Sequence, residues 1–197
     1  MSEIDRIEMC AQALVLIGEA PIDSFEGNTT AQVVASQRYG AVATMLLSEH
    51  PWDFNRKAQP LVASSMLQSK AELMGFTHGY NMPTDCYWLE VPTIGGYAIE
   101  EWEIAEGALF LCATDDDAVG LRYHGMVDEA LWPPKFREAV VYWLAAEFAV
   151  PLTEDDAKST AMRQVAVALR REAKHQNATR SPPAPIRTGR FAVRKIR

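Results

Sequence analysis

Ala108-Leu-Phe-Leu-Cys-Ala-Thr-Asp-Asp-Asp-Ala-Val-Gly-Leu-Arg-Tyr-His124 reads as two strands about an acidic turn. From Tyr87 onward the period of the apolar residues shifts toward two. Asp115, Asp116 and Asp117 supply turn chemistry between Ala108–Ala113 and Val119–His124. Further back, Tyr87–Val91 and Ala98–Ile104 read the same way, with Gly95-Gly96 and Glu106-Gly107 as breaks. No crossover helix fits between successive strands, which predicts an antiparallel meander or hairpins.

Helical patterns flank this patch. Ile4, Ile7, Ala11, Leu14 and Ile17 recur at helical spacing until Gly18 ends the run. A loop follows, with Ile22 and Phe25 as apolar anchors. Asn28 or Thr29 then caps a helix whose Ala35, Tyr39, Val42 and Leu46 share a face, and Pro51 stops it. Trp52 and Phe54 are expected on opposite sides of an extended Asp53. Residues 55–79 carry little pattern; a short helix within Ser64–Phe76 is the preferred reading. Downstream, Pro133-Pro134 opens a helix with Phe136, Val140, Trp143 or Leu144, and Phe148 on its apolar stripe. Thr153, with Glu154, Asp155 and Asp156 behind it, starts another that buries Met162, Val165, Ala166 and Leu169. The order predicts an α+β fold: mainly a helical bundle (1–54 and 133–177) with an inserted small antiparallel β-sheet (80–127). Residues 1–177 form the domain, and 178–197 a basic, extended C-terminal arm.

Charge is spread unevenly. From Ala178 to Arg197 there are six cations and no acid, while the rest of the chain holds thirteen cations against twenty-six acids. The acidic body repels phosphate, and the basic arm suits an acidic partner, nucleic acid or protein. Three scattered cysteines suit a reducing cytoplasm, no run is apolar enough for a membrane span, and the acidic N-terminus is unlike an export signal.

Catalytic patterns are weak. His50, His78, His124 and His175 are scattered without metal-ligand spacing, and no nucleophile elbow, phosphate loop or dinucleotide fingerprint is present. Cys86 with His124 is imaginable as a thiol–imidazole pair, and the Asp115–Asp117 run as a cation site. A buried apolar cysteine and a solvated turn are the preferred readings. No catalytic residue, cofactor or metal is expected. In the arm, Ile186, Phe191, Val193 and Ile196 interleave with Arg187, Arg190, Arg194, Lys195 and Arg197, a pattern suited to docking. Trp88 and Trp102, in strands, are candidates for a subunit interface.

Several segments, in order, resemble the tail tubular protein A family, the head-to-tail adaptors of short-tailed phages and of related prophage and gene-transfer particles. They are Ile17-Gly-Glu-Ala-Pro21 with Glu26-Gly27, Trp52-Asp-Phe-Asn55, and Tyr80-x-Met-Pro-x-Asp-Cys86. Leu121-Arg-Tyr-His124, Pro133-x-x-Phe136 and Leu144-Ala-Ala-Glu-Phe-Ala149 complete the set. Met82 stands where the familiar form has Leu, and Ser64–Phe76 looks like extra length. The resemblance implies a structural, non-enzymatic subunit of a dodecameric ring between portal protein and tail nozzle. It would lie at the head–tail junction of a virion assembled in the host cytoplasm. DNA would pass through the lumen without specific binding, with the arm on the portal and no membrane involved. The competing readings are a small DNA-binding protein that uses the basic tail and a completion-ring protein of a long-tailed particle.

Overall fold

The structure is a computed structural model that describes residues 3–180. Four long helices form the bundle: α1 (Glu3–Ile17), α2 (Thr30–Ser48), α4 (Pro134–Thr153) and α5 (Asp156–Arg180); the short α3 (Gln68–Leu73) lies in the insertion. α4 is the axial helix. Its Phe136, Val140, Leu144, Ala145, Phe148 and Ala149 are all buried, and α1, α2 and α5 pack around it. A helix apolar on most of its circumference must be enclosed in this way. At the stripe position open between Trp143 and Leu144, Leu144 enters the core; Trp143 is half-buried, with the Arg163 and Arg170 guanidiniums over its ring.

The helix ends follow local chemistry. α1 closes with Gly18 N–H bonding Val15 and Glu19 N–H bonding Leu14, a paired reverse closure. Thr29 caps α2 in a reciprocal box with Gln32. α4 runs through Thr153 and stops at Glu154 in left-handed conformation, so Thr153 ends one helix instead of starting the next. Asp155 takes the capping role, its carboxylate accepting from Lys158 N–H at 2.8 Å. α5 then continues to Arg180, so the first residues of the expected arm are helical. Val165, expected inside, is 40% exposed; Ala166 and Leu169 make the buried face.

Between α2 and α4 the chain builds the insertion, which starts at Arg56, well before the expected boundary at 80. Its strands are β1 (Arg56–Pro60), β2 (His78–Asn81), β3 (Trp88–Leu89), β4 (Thr93–Ile94), β5 (Tyr97–Ala98), β6 (Trp102–Ala105), β7 (Ala108–Leu111) and β8 (Val119–His124). All pairings are antiparallel, as expected, but there are two sheets where a single small sheet was expected. β8 is central in the first, with β1 along one side and β3 and β4 along the other; β5 extends β4. The second is β2-β7-β6. β7 explains why the sequence there is apolar without interruption. Leu109 and Leu111 join Tyr80, Val119, Leu121 and Tyr123 in the core between the sheets, while Ala108 and Phe110 pack toward α3 and its Ala71. A strand covered on both faces has no polar side to show. The short helix expected within Ser64–Phe76 is present as a 3-10 turn leading into α3.

Candidate functional site

The joint between bundle and insertion carries most of the polar interactions that link the two parts. Trp52 and Phe54 do not alternate as extended chain would. A 3-10 turn over Asp53–Asn55 brings both rings against Phe136, at centroid separations of 4.9 and 5.0 Å. The same turn buries Asn55 completely, where its side-chain oxygen lies 3.0 Å from His124 Nδ1. His124 Nδ1 also stands 2.8 Å from Trp52 carbonyl oxygen, and Nε2 stands 3.3 Å from Glu90. His124 is 3% exposed and closes β8 opposite Arg56 of β1, so the chain enters and leaves the insertion at one pinned point. Trp88 N–H donates to Ser48 carbonyl at 2.6 Å, fastening β3 to the end of α2. From the other side Asn177 of α5 accepts from Asp53 N–H at 2.9 Å, and Glu49 pairs with Arg170 and Lys174.

Each motif residue singled out from the sequence has a place in this frame. Tyr80 is core, and Asp85 pairs with Lys57 at 2.6 Å. The Asp85 loop presses on Gly125, where an added Cβ would lie 2.7 Å from the Asp85 carbonyl oxygen and 2.7 Å from its carboxylate Oδ2. Cys86 is half-buried; its thiol is pushed up first by burial and then by the charge of Asp85, the reverse of an activated thiolate. His124 is engaged by Trp52, Asn55 and Glu90, not by Cys86. The acidic run forms a turn in which Asp117 accepts from Thr114 N–H at 2.7 Å and Asp115 meets His78 at 3.0 Å. Among the described residues no cluster of three or more His, Cys, Asp or Glu side chains is arranged to hold a metal ion.

Among the described residues, apolar side chains are exposed in several places. The first is an open groove of about 1100 Å³ between α1 and the start of α4, floored by Met9, Val141 and Trp132 and edged by Val15 and Leu16. The second, between the end of α4 and α5 and about 700 Å³, is mixed: Val150 and Val167 stand among Asp156, Ser159, Thr160, Arg163 and Gln164. On the insertion Tyr97 is 82% exposed, and Trp88, Val91 and Ile104 are also exposed but not on one face: Trp88 pairs with His124 at one end of β8, Tyr97 lies toward the Val119 end, and Ile104 belongs to the second sheet. Of the two interface candidates, Trp88 shows its ring face while its N–H is engaged, and Trp102 is half-buried against the inter-sheet core. Sequence reading did not single out the α1–α4 groove, because Val15 and Leu16 sit in an unbroken apolar run, Leu14–Ile17, that hides which side faces out. Val62, Met66 and Leu73 are each more than 80% exposed on the α3 side. Ile186, Arg187, Arg190, Phe191, Val193, Arg194, Lys195, Ile196 and Arg197, the docking positions of the arm, lie outside the described residues. No protein-family model matches the chain, and no curated protein is significantly similar to it.

Proposed function

We propose that the protein is a head-to-tail adaptor subunit, a structural component of a dodecameric ring that joins the portal protein to the tail nozzle of a phage-like particle. The observation that carries this reading is the presence, on one chain, of two unlike surfaces with exposed apolar side chains on two different modules. One is the α4–α5 cleft, where Val150 and Val167 stand among Asp156, Ser159, Thr160, Arg163 and Gln164; the other is on the insertion, where Tyr97 of β5 is 82% exposed. A ring closed by rotation joins unlike patches, so every copy needs one of each. The segments that resemble the adaptor family add support, because Trp52–Asn55, His124 and Phe136 together form the joint that fixes one module against the other. The acid excess outside the arm suits a lumen through which DNA slides without sticking.

In this reading the arm, through its cations and the apolar residues between them, attaches the ring to the portal. Deleting residues 181–197 tests it. The shortened chain should keep its helicity and melting temperature while stable attachment to portal rings is lost. Unchanged portal affinity with loss of salt-dependent duplex DNA binding would instead make the arm a nucleic-acid element, as in the DNA-binding alternative.

A further inference from the structure

The groove between α1 and α4 is an open apolar groove of about 1100 Å³, and the chain itself supplies a segment suited to it. α5 ends at Arg180, which lines a small recess together with Pro133, Lys135 and Phe136. Trp132 and Pro134, the neighbours of Pro133, line the groove. The chain beyond Arg180 therefore departs beside the α4 end of the groove. Residues 181–197, fully extended, reach up to roughly 55 Å, and the stretch of α4 along the groove, Pro134 to Tyr142, is only about 12 Å long at helical rise. Reach is no obstacle within one chain or between two. The chemistry also fits. The segment carries Ile186, Phe191, Val193 and Ile196 among five cations and no acid. Of the charged residues that line the groove, Glu8 and Glu138 outnumber Arg137, which also pairs with Asp5, leaving an acidic rim about an apolar floor.

We propose that this groove is the docking site of residues 181–197 of the same chain or of a second copy. Apolar anchors sit between the helices and arginines meet the rim. The inference does not rest on the adaptor reading; where a portal takes the arm, it competes with the groove for it. The test places a photoreactive benzoylphenylalanine at Phe191 in the full-length chain and maps the crosslinks by mass spectrometry. They should concentrate in residues 8–16 and 132–142, with monomer or dimer mass telling whether one chain or two are involved. Val15→Glu, a change at a 58%-exposed helix position, should cut that yield at least about five-fold with helicity and melting temperature retained. Val165→Glu, on α5 and away from the groove, should leave it unchanged. Crosslinks scattered elsewhere, none at all, or a yield indifferent to Val15→Glu would overturn the proposal. So would a Val15→Glu that merely turns an oligomer into a monomer, since the groove would then belong to the folded body of another copy.

Discussion

Cys10 lies in the bundle core at 0% exposure, and burial pushes its thiol up from an ordinary 9.0 to about 12. Between those values the unfolded chain has released a proton that the folded chain still holds. Stability is therefore full below pH 9 and falls as pH rises toward 12, by up to about 1.4 kcal/mol per unit from this group. Tyr39 adds the same sign above pH 10, because burial and then the nearby Glu129 raise its hydroxyl. Urea midpoints from pH 8 to 11 should show the decline, and Cys10→Ala should flatten it; an equal slope in both proteins would contradict the assignment. Glu129 poses a second test. It is 1% exposed, paired with Arg6 at 2.8 Å and accepting from Tyr39 hydroxyl at 3.2 Å. Glu129→Ala should cost about 3 kcal/mol, as removal of one member of a buried pair does, measured by chemical unfolding. Neither role was legible in the sequence. Tyr39 was read as a core residue from its spacing, and so it is, but Glu129 sits in a connecting 3-10 turn without periodicity, where an acid reads as solvated.

At the scale of elements, what could be read depended on how one-sided each element is. α2 buries Ala35, Tyr39, Val42 and Leu46, the face its spacing had predicted, because its other side meets solvent. β8 has the predicted bounds for the same reason: Val119, Leu121 and Tyr123 point one way. β1 escaped notice because Arg56-Lys-Ala-Gln-Pro60 is polar on both sides; only pairing with β8 makes it a strand. β2 was missed because Gly79 has no side chain to give a pattern. The reason for that glycine is steric: a Cβ there would lie 2.6 Å from Leu67 Cβ and 3.0 Å from Phe110. Gly79→Ala should therefore destabilise by about 1–3 kcal/mol, as other overpacked cores are, visible as a lower thermal midpoint. Asn55→Ala should cost a similar amount and act locally. Hydrogen exchange should rise at residues 52–56 and 122–126 while the helix centres stay protected. Uniform deprotection would mean that the joint is not a separate unit.

At the scale of the whole molecule, the α+β order of helices, strands and helices was legible because loops and periodicity mark it. The pairing of the strands into two sheets was not, since it depends on contacts as distant in sequence as Arg56 and His124. The candidate interaction surfaces were legible only as a surplus of apolar residues; which of them face outward is a property of packing. If the two unlike surfaces of the proposed ring are real contacts, Val150→Glu and Tyr97→Glu should each block self-association on the portal without lowering the melting temperature. The portal-binding arm would still capture single subunits. The most direct test of the adaptor account is mass photometry of the full-length protein titrated into portal rings from the same particle. The account predicts a saturable complex of fixed stoichiometry at micromolar concentration or below. Portal rings whose mass does not change across that range would contradict it.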